Sequence, residues 1–127
     1  MKGYFEFESS VLEKDYSIKG FLGMEAMLQY CEDEKVTFDD LMKKFQGVGA
    51  ESSDVVGLLR FIKKLVFYGY QNYCELNDEQ AKFSEKKISL LFDNSQGGIP
   101  DLMGKITKAF LEAMPQMDDE KQPNKKK

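Results

Sequence analysis

The stretch Ser52–Tyr73 (SSDVVGLLRFIKKLVFYGYQNY) sets the terms for the rest of the chain. At about 100° per residue, Val55, Leu58, Leu59, Ile62, Leu65, Val66, Gly69 and Tyr73 fall on one stripe, the spacing of a helix that faces a core. Ser52 or Ser53 can cap the first turn, and Asp54 suits the positive end of the helix dipole. The opposite side is not simply polar. Arg60, Lys64 and Gln71 gather there, yet Phe61 and Tyr68, seven residues apart, make a second aromatic ridge, with Phe67 on the other flank. A helix so apolar around its circumference is a central one. Either other helices of the chain cover both sides, or one side meets a partner.

At 127 residues the chain has the size of one domain with one core. The expected organisation is a globular unit over 1–115 and a disordered tail over 116–127. Hydrophobic residues make up 42% and charged residues 31%, the balance of a soluble protein. The formal net charge of −4 disfavours non-specific attraction to nucleic acid or anionic membrane. No apolar run approaches the ~20 residues of a membrane span, and glutamates interrupt the N-terminal MKGYFEFESS where a signal peptide would be apolar. A cytoplasmic location is expected. There is no histidine, which removes the commonest general base and the commonest zinc ligand together.

The alternation of Gly3–Glu8, with Phe5 and Phe7 on one side, predicts a short strand. Asp15–Lys19 can pair with it across a turn-like Ser9–Lys14. Gly20–Glu32 reads as the first helix, with Phe21, Met24, Met27, Leu28 and Cys31 on its apolar face. The second helix is the best-punctuated element: Thr37 caps it, Asp40 takes the reciprocal capping position, Val36 and Leu41 have staple spacing, and Gly47 can supply a left-handed exit. Phe38, Leu41, Met42 and Phe45 repeat at helical spacing. Cys74–Lys82 is polar. Ser84 then caps a short helix with Ile88, Leu91 and Phe92 as its face, and Asn94–Gly98 breaks it. Ile99–Met114, with Pro100 at its start and Pro115 after it, is the last helix; its face is Ile99, Leu102, Met103, Ile106, Phe110 and Met114. The fold class expected is mainly α: about five helices around the central one, with a short N-terminal strand or hairpin.

No residue pattern carries catalysis. Asp39 and Asp40 are accounted for by helix capping, and Asp118 and Asp119 by the tail. Gly47-x-Gly49 lacks the third glycine of a dinucleotide fingerprint, since position 52 is serine, and follows a helix instead of a strand. Glu32–Glu34 lacks the alternating order of a calcium loop. Cys31 and Cys74 have no histidine to activate them and read as reduced core residues. Arg60 with Lys63 and Lys64, and Lys86 with Lys87, read as solvated faces. No catalytic residue, metal site or cofactor is therefore expected. Five of the seven methionines, Met24, Met27, Met42, Met103 and Met114, lie on helical faces, and methionine suits both gap-filling and varied apolar partners. The candidate partner-binding residues are Phe61, Phe67, Tyr68 and Tyr70, contacting sister subunits or an apolar helical client if the ridge is exposed. Coverage by another helix of the chain would make the ridge core.

The order of segments carries a resemblance. A short strand and a helix lead to Val36-Thr37-Phe38-Asp39-Asp40-Leu41-Met42. A loop precedes the long apolar helix that ends near Val66-Phe67-Tyr68-Gly69-Tyr70, and Phe83-Ser84-Glu85-Lys86-Lys87-Ile88-Ser89-Leu90-Leu91-Phe92-Asp93 opens the next helix. In order and spacing this resembles the small tail assembly chaperones of tailed bacteriophages and prophages, over about residues 4–93. Ser9–Lys14 is extra relative to that pattern, and the Ile99–Met114 helix is longer. The resemblance implies a non-enzymatic protein in the cytoplasm of a bacterial host. It would hold the long, apolar tape measure protein soluble while tail tube subunits polymerise around it. The alternative class is a small cytoplasmic helical adaptor or regulatory module, which needs a defined groove instead of a broad apolar face.

Overall fold

The computed structural model describes residues 2–47 and 55–114. Alternation along the N-terminal segment produces a hairpin: β1 (Tyr4–Val11) pairs antiparallel with β2 (Lys14–Phe21), Phe5 opposite Gly20 and Phe7 opposite Ile18. Phe5, Phe7 and Ile18 are buried on one face. Both strands are longer than the expected Gly3–Glu8 and Asp15–Lys19, and the turn shrinks from Ser9–Lys14 to two residues. The reason lies in Ser9. It continues the inward alternation, and its buried hydroxyl donates to the carbonyls of Leu91 (2.8 Å) and Asn94 (3.1 Å), so a polar residue can occupy a core-facing strand position.

Five helices follow: α1 (Met24–Glu34), α2 (Phe38–Gly47), α3 (Val55–Leu76), α4 (Glu85–Asp93) and α5 (Ile99–Ala113). The fold is mainly α with an N-terminal β-hairpin, as the sequence predicts. The first helix begins later than Gly20, because β2 runs on through Phe21 and Gly23 occupies the cap. Its inward face shifts accordingly. Ala26, Met27 and Tyr30 are buried, whereas Met24 and Leu28, expected on the apolar face, are 42% and 46% exposed. Lys35 ends α1 in the left-handed conformation.

Where cap chemistry is strong the expected starts are met. Thr37 Oγ1 accepts from Asp40 N and Asp40 Oδ2 accepts from Thr37 N, both at 3.1 Å, a reciprocal capping box at the start of α2. Ser84 Oγ accepts from Lys87 N at 3.1 Å at the start of α4. The proposed caps of the central helix, Ser52 and Ser53, with Asp54, the loop beyond Gly47, Pro115 and the tail 116–127 lie outside the described residues.

The central helix is central. α3 buries Phe61, Ile62, Leu65, Val66, Tyr68, Gly69, Tyr70 and Cys74, and continues past Tyr73 to Leu76. The hairpin lies against one side of it; α1, α4 and, more weakly, α2 and α5 contact the others. Lys63 pairs with Asp93 of α4 at 2.7 Å, and Lys64 lies between Glu34 (3.5 Å) and Glu85 (3.4 Å). Exposed pairs of this kind contribute little individually, so the hydrophobic core carries the stability.

Candidate functional site: an apolar groove between α3 and α5

The aromatic ridge does not form a surface. Phe61 is 2% exposed, edge-on to Tyr30 (5.1 Å between centroids) and to Phe45 (4.9 Å), and Phe45 stacks on Phe110 of α5. Tyr68 is buried, and its hydroxyl donates to Asp33 Oδ2 at 2.5 Å. Tyr70 is buried and stacked on Phe83, and its oxygen accepts from the backbone N–H groups of Lys82 (2.8 Å) and Phe83 (3.0 Å). Phe67 is half-buried, 6.0 Å from the Tyr68 ring. Of the four candidate partner-binding residues, three are thus core residues covered by the chain's own elements. The physical reason is that Tyr30 and Asp33 of α1, Phe45 of α2 and Phe83 before α4 pack over these rings.

What α3 leaves open is the start of its expected core stripe. Val55 is 57% exposed, and Leu58 and Leu59 are only half-buried. Across from them runs the outer side of α5, where Ile99 and Met103 are half-buried and Leu111 is 63% exposed. Between these walls lies a groove of about 730 Å³, floored in part by Gly104 and Thr107, with Lys108 as its one charged lining residue among those described. Gly104 sits mid-helix, and a Cβ there would meet nothing within 4 Å. A glycine inside a helix costs roughly 1 kcal/mol relative to alanine, and nothing packed within the described chain needs its small size. Thr107 Oγ1 is buried without a hydrogen-bond partner among the described residues.

The groove is an apolar surface. Its lining is aliphatic apart from Lys108 and Thr107. Burial raises the Cys31 and Cys74 thiols above their ordinary value, which keeps them protonated and poorly nucleophilic near neutral pH. Among the described residues no group of three acidic, cysteine or histidine side chains could hold a metal ion, and no helix is long and apolar enough to cross a membrane.

The sequence did contain a signal for this site. Pro100, Gly104, Thr107 and Leu111 recur at helical spacing on the side of α5 away from Leu102, Ile106 and Phe110, forming a second, weaker apolar stripe. The stronger stripe hides it.

No family model, curated protein or solved structure matches the chain.

Proposed function

We propose that the α3–α5 groove receives an apolar helical segment of another protein, and that the chain is a non-enzymatic tail assembly chaperone of a phage or prophage with the tape measure protein as its client. The observation that carries the docking reading is the groove itself: two helical walls leave aliphatic side chains in water over a volume suited to a helix face. Outside the described residues the sequence adds Met1 and two segments that are mostly small or polar. Residues 48–54 read VGAESSD and residues 115–127 read PQMDDEKQPNKKK, so Val48 and Met117 are the large apolar side chains those segments offer. An external occupant is the better match.

The client identity rests on the resemblance of residues 4–93. A tape measure protein is long and apolar, and a groove with Met103 in its wall can adapt to successive apolar segments as methionine repacks. Net acidity keeps the carrier soluble. The test is co-expression with a tape measure fragment: the client stays soluble and co-purifies with the wild-type chain, and it precipitates with Leu111→Glu. Recovery of soluble client with the variant as efficiently as with the wild type overturns the reading.

One observation favours the second reading, a helical adaptor with a dedicated partner. Val55, Leu58, Leu59, Ile99, Met103 and Leu111 converge on one groove, and a defined groove is what such a module requires. Saturable one-to-one binding of a single helical peptide, with no effect on tape measure solubility, selects it.

A further inference from the structure

The hairpin turn is built from residues that suit it poorly. Leu12 and Glu13 close the Val11–Lys14 pair with φ of 52° and 66°, the signature of a type I′ turn, which Asn-Gly adopts with least strain. A leucine in the left-handed region is strained, and Leu12 is 90% exposed, so no contact inside the described chain compensates for it. Strain held at an exposed apolar side chain points to a use outside the monomer.

Beside Leu12 lies a second, smaller cup of about 310 Å³ between the hairpin and α4. Leu12 itself, with Val11, Tyr16, Leu90 and Leu91, gives it apolar walls, and Leu90 is 46% exposed. Its charged lining is cationic: Lys14 and Lys87. Lys87 is held in place, its Nζ 4.7 Å from the centroid of the Tyr16 ring and donating to the Tyr16 hydroxyl at 3.3 Å. The hairpin end therefore carries an apolar knob beside a carboxylate, Leu12-Glu13, next to an apolar cup beside two cations.

A two-fold contact requires one patch to carry both halves of the interaction. We propose that this hairpin end is a self-association surface, with Leu12 of each copy seated in the cup of the other and Glu13 set against Lys14 and Lys87 of the second copy. Knob and cup match in polarity and in charge, which is why a second copy is the occupant. The patch is small, so the dimer is weak, exchanges rapidly and loosens as salt screens the charge pairs. It shares no lining residue with the α3–α5 groove.

Sedimentation equilibrium of the full chain from micromolar to millimolar concentration, with no client present, tests this independently of the proposed function. The wild type is expected to show a monomer–dimer equilibrium that weakens with added salt. The double variant Leu12→Asn with Glu13→Gly relaxes the turn, so it should melt at a higher temperature yet associate about tenfold more weakly or worse. Leu90→Glu should weaken association to a similar degree with an unchanged melting temperature. A wild type that stays monomeric throughout the range overturns the proposal, as does a dimer that both variants preserve.

Discussion

The Tyr68 hydroxyl donates to Asp33 Oδ2 at 2.5 Å, fastening the middle of α3 to the acidic end of α1. A hydrogen bond to a carboxylate is stronger than one between neutral groups, and here it satisfies the hydroxyl of a buried phenol. Tyr68→Phe removes the donor and little volume. It should cost about 1–3 kcal/mol in urea unfolding; an unchanged unfolding midpoint would show that the bond adds nothing over hydration of the two groups.

The same contact gives the protein an alkaline limit. Burial first, then the hydrogen bond and charge of Asp33, raise the Tyr68 phenol well above its ordinary value of 10.0. Burial, followed by the charge of Glu34, pushes Tyr30 up to about 12. A folded pKa above the unfolded one means the unfolded chain releases its proton first. The associated stability is complete below about pH 10 and is lost as pH rises through the folded values. Unfolding free energy should therefore decline above pH 10, and Tyr68→Phe should show a shallower decline than the wild type.

Phe5 lies over two glycines from different elements. A Cβ on Gly20 would stand 2.2 Å from Phe5 Cζ, and one on Gly69 would stand 2.9 Å from Phe5 Cε2. The two missing side chains let the hairpin press its aromatic ring onto α3. Gly69→Ala should destabilise by about 1–3 kcal/mol through overpacking. Adding Phe5→Leu should recover part of that loss, and strictly additive effects of the two changes would contradict the contact.

How much of this was legible depended on how local the determining interaction is. The Thr37–Asp40 box and the Ser84 cap are written within four residues of sequence, and both formed where expected; so did the inward Phe5 and Phe7. Local pattern puts Ser9 in the turn because what buries it, the carbonyls of Leu91 and Asn94, lies more than eighty residues away. Periodicity puts Met24 and Leu28 on a core face because the end of β2, and so the phase of α1, depends on tertiary pairing. The ridge of Phe61 and Tyr68 was visible, but periodicity cannot say whether a second apolar side meets the same chain or another. Packing by α1 and α2 decides it. The groove is hidden for the converse reason: Val55 and Leu59 fit the core stripe in phase, yet they lie in the first turns of α3, which α5 does not cover.

Core and groove positions on α3 and α5 should separate cleanly in a variant series. Ile62 is fully buried, and Ile62→Ala should cost about 2–5 kcal/mol. Phe61→Glu places a carboxylate in the space between Tyr30 and Phe45 and removes both ring contacts, and should abolish cooperative unfolding. Leu111→Glu, at a position 63% exposed, should change the unfolding free energy by no more than about 0.5 kcal/mol. If Leu111→Glu unfolds the protein as Phe61→Glu does, the groove wall is core and not a free surface.

The most direct test of the docking claim is methyl-resolved NMR of the full chain during titration with an amphipathic helical segment of a tape measure protein. Resonances of Val55, Leu58, Leu59, Ile99, Met103 and Leu111 should shift together and saturate, while those of Ile62, Ile88 and Leu91 stay in place. Shifts centred on any other face, or a spectrum unchanged while the segment precipitates, would contradict the docking claim.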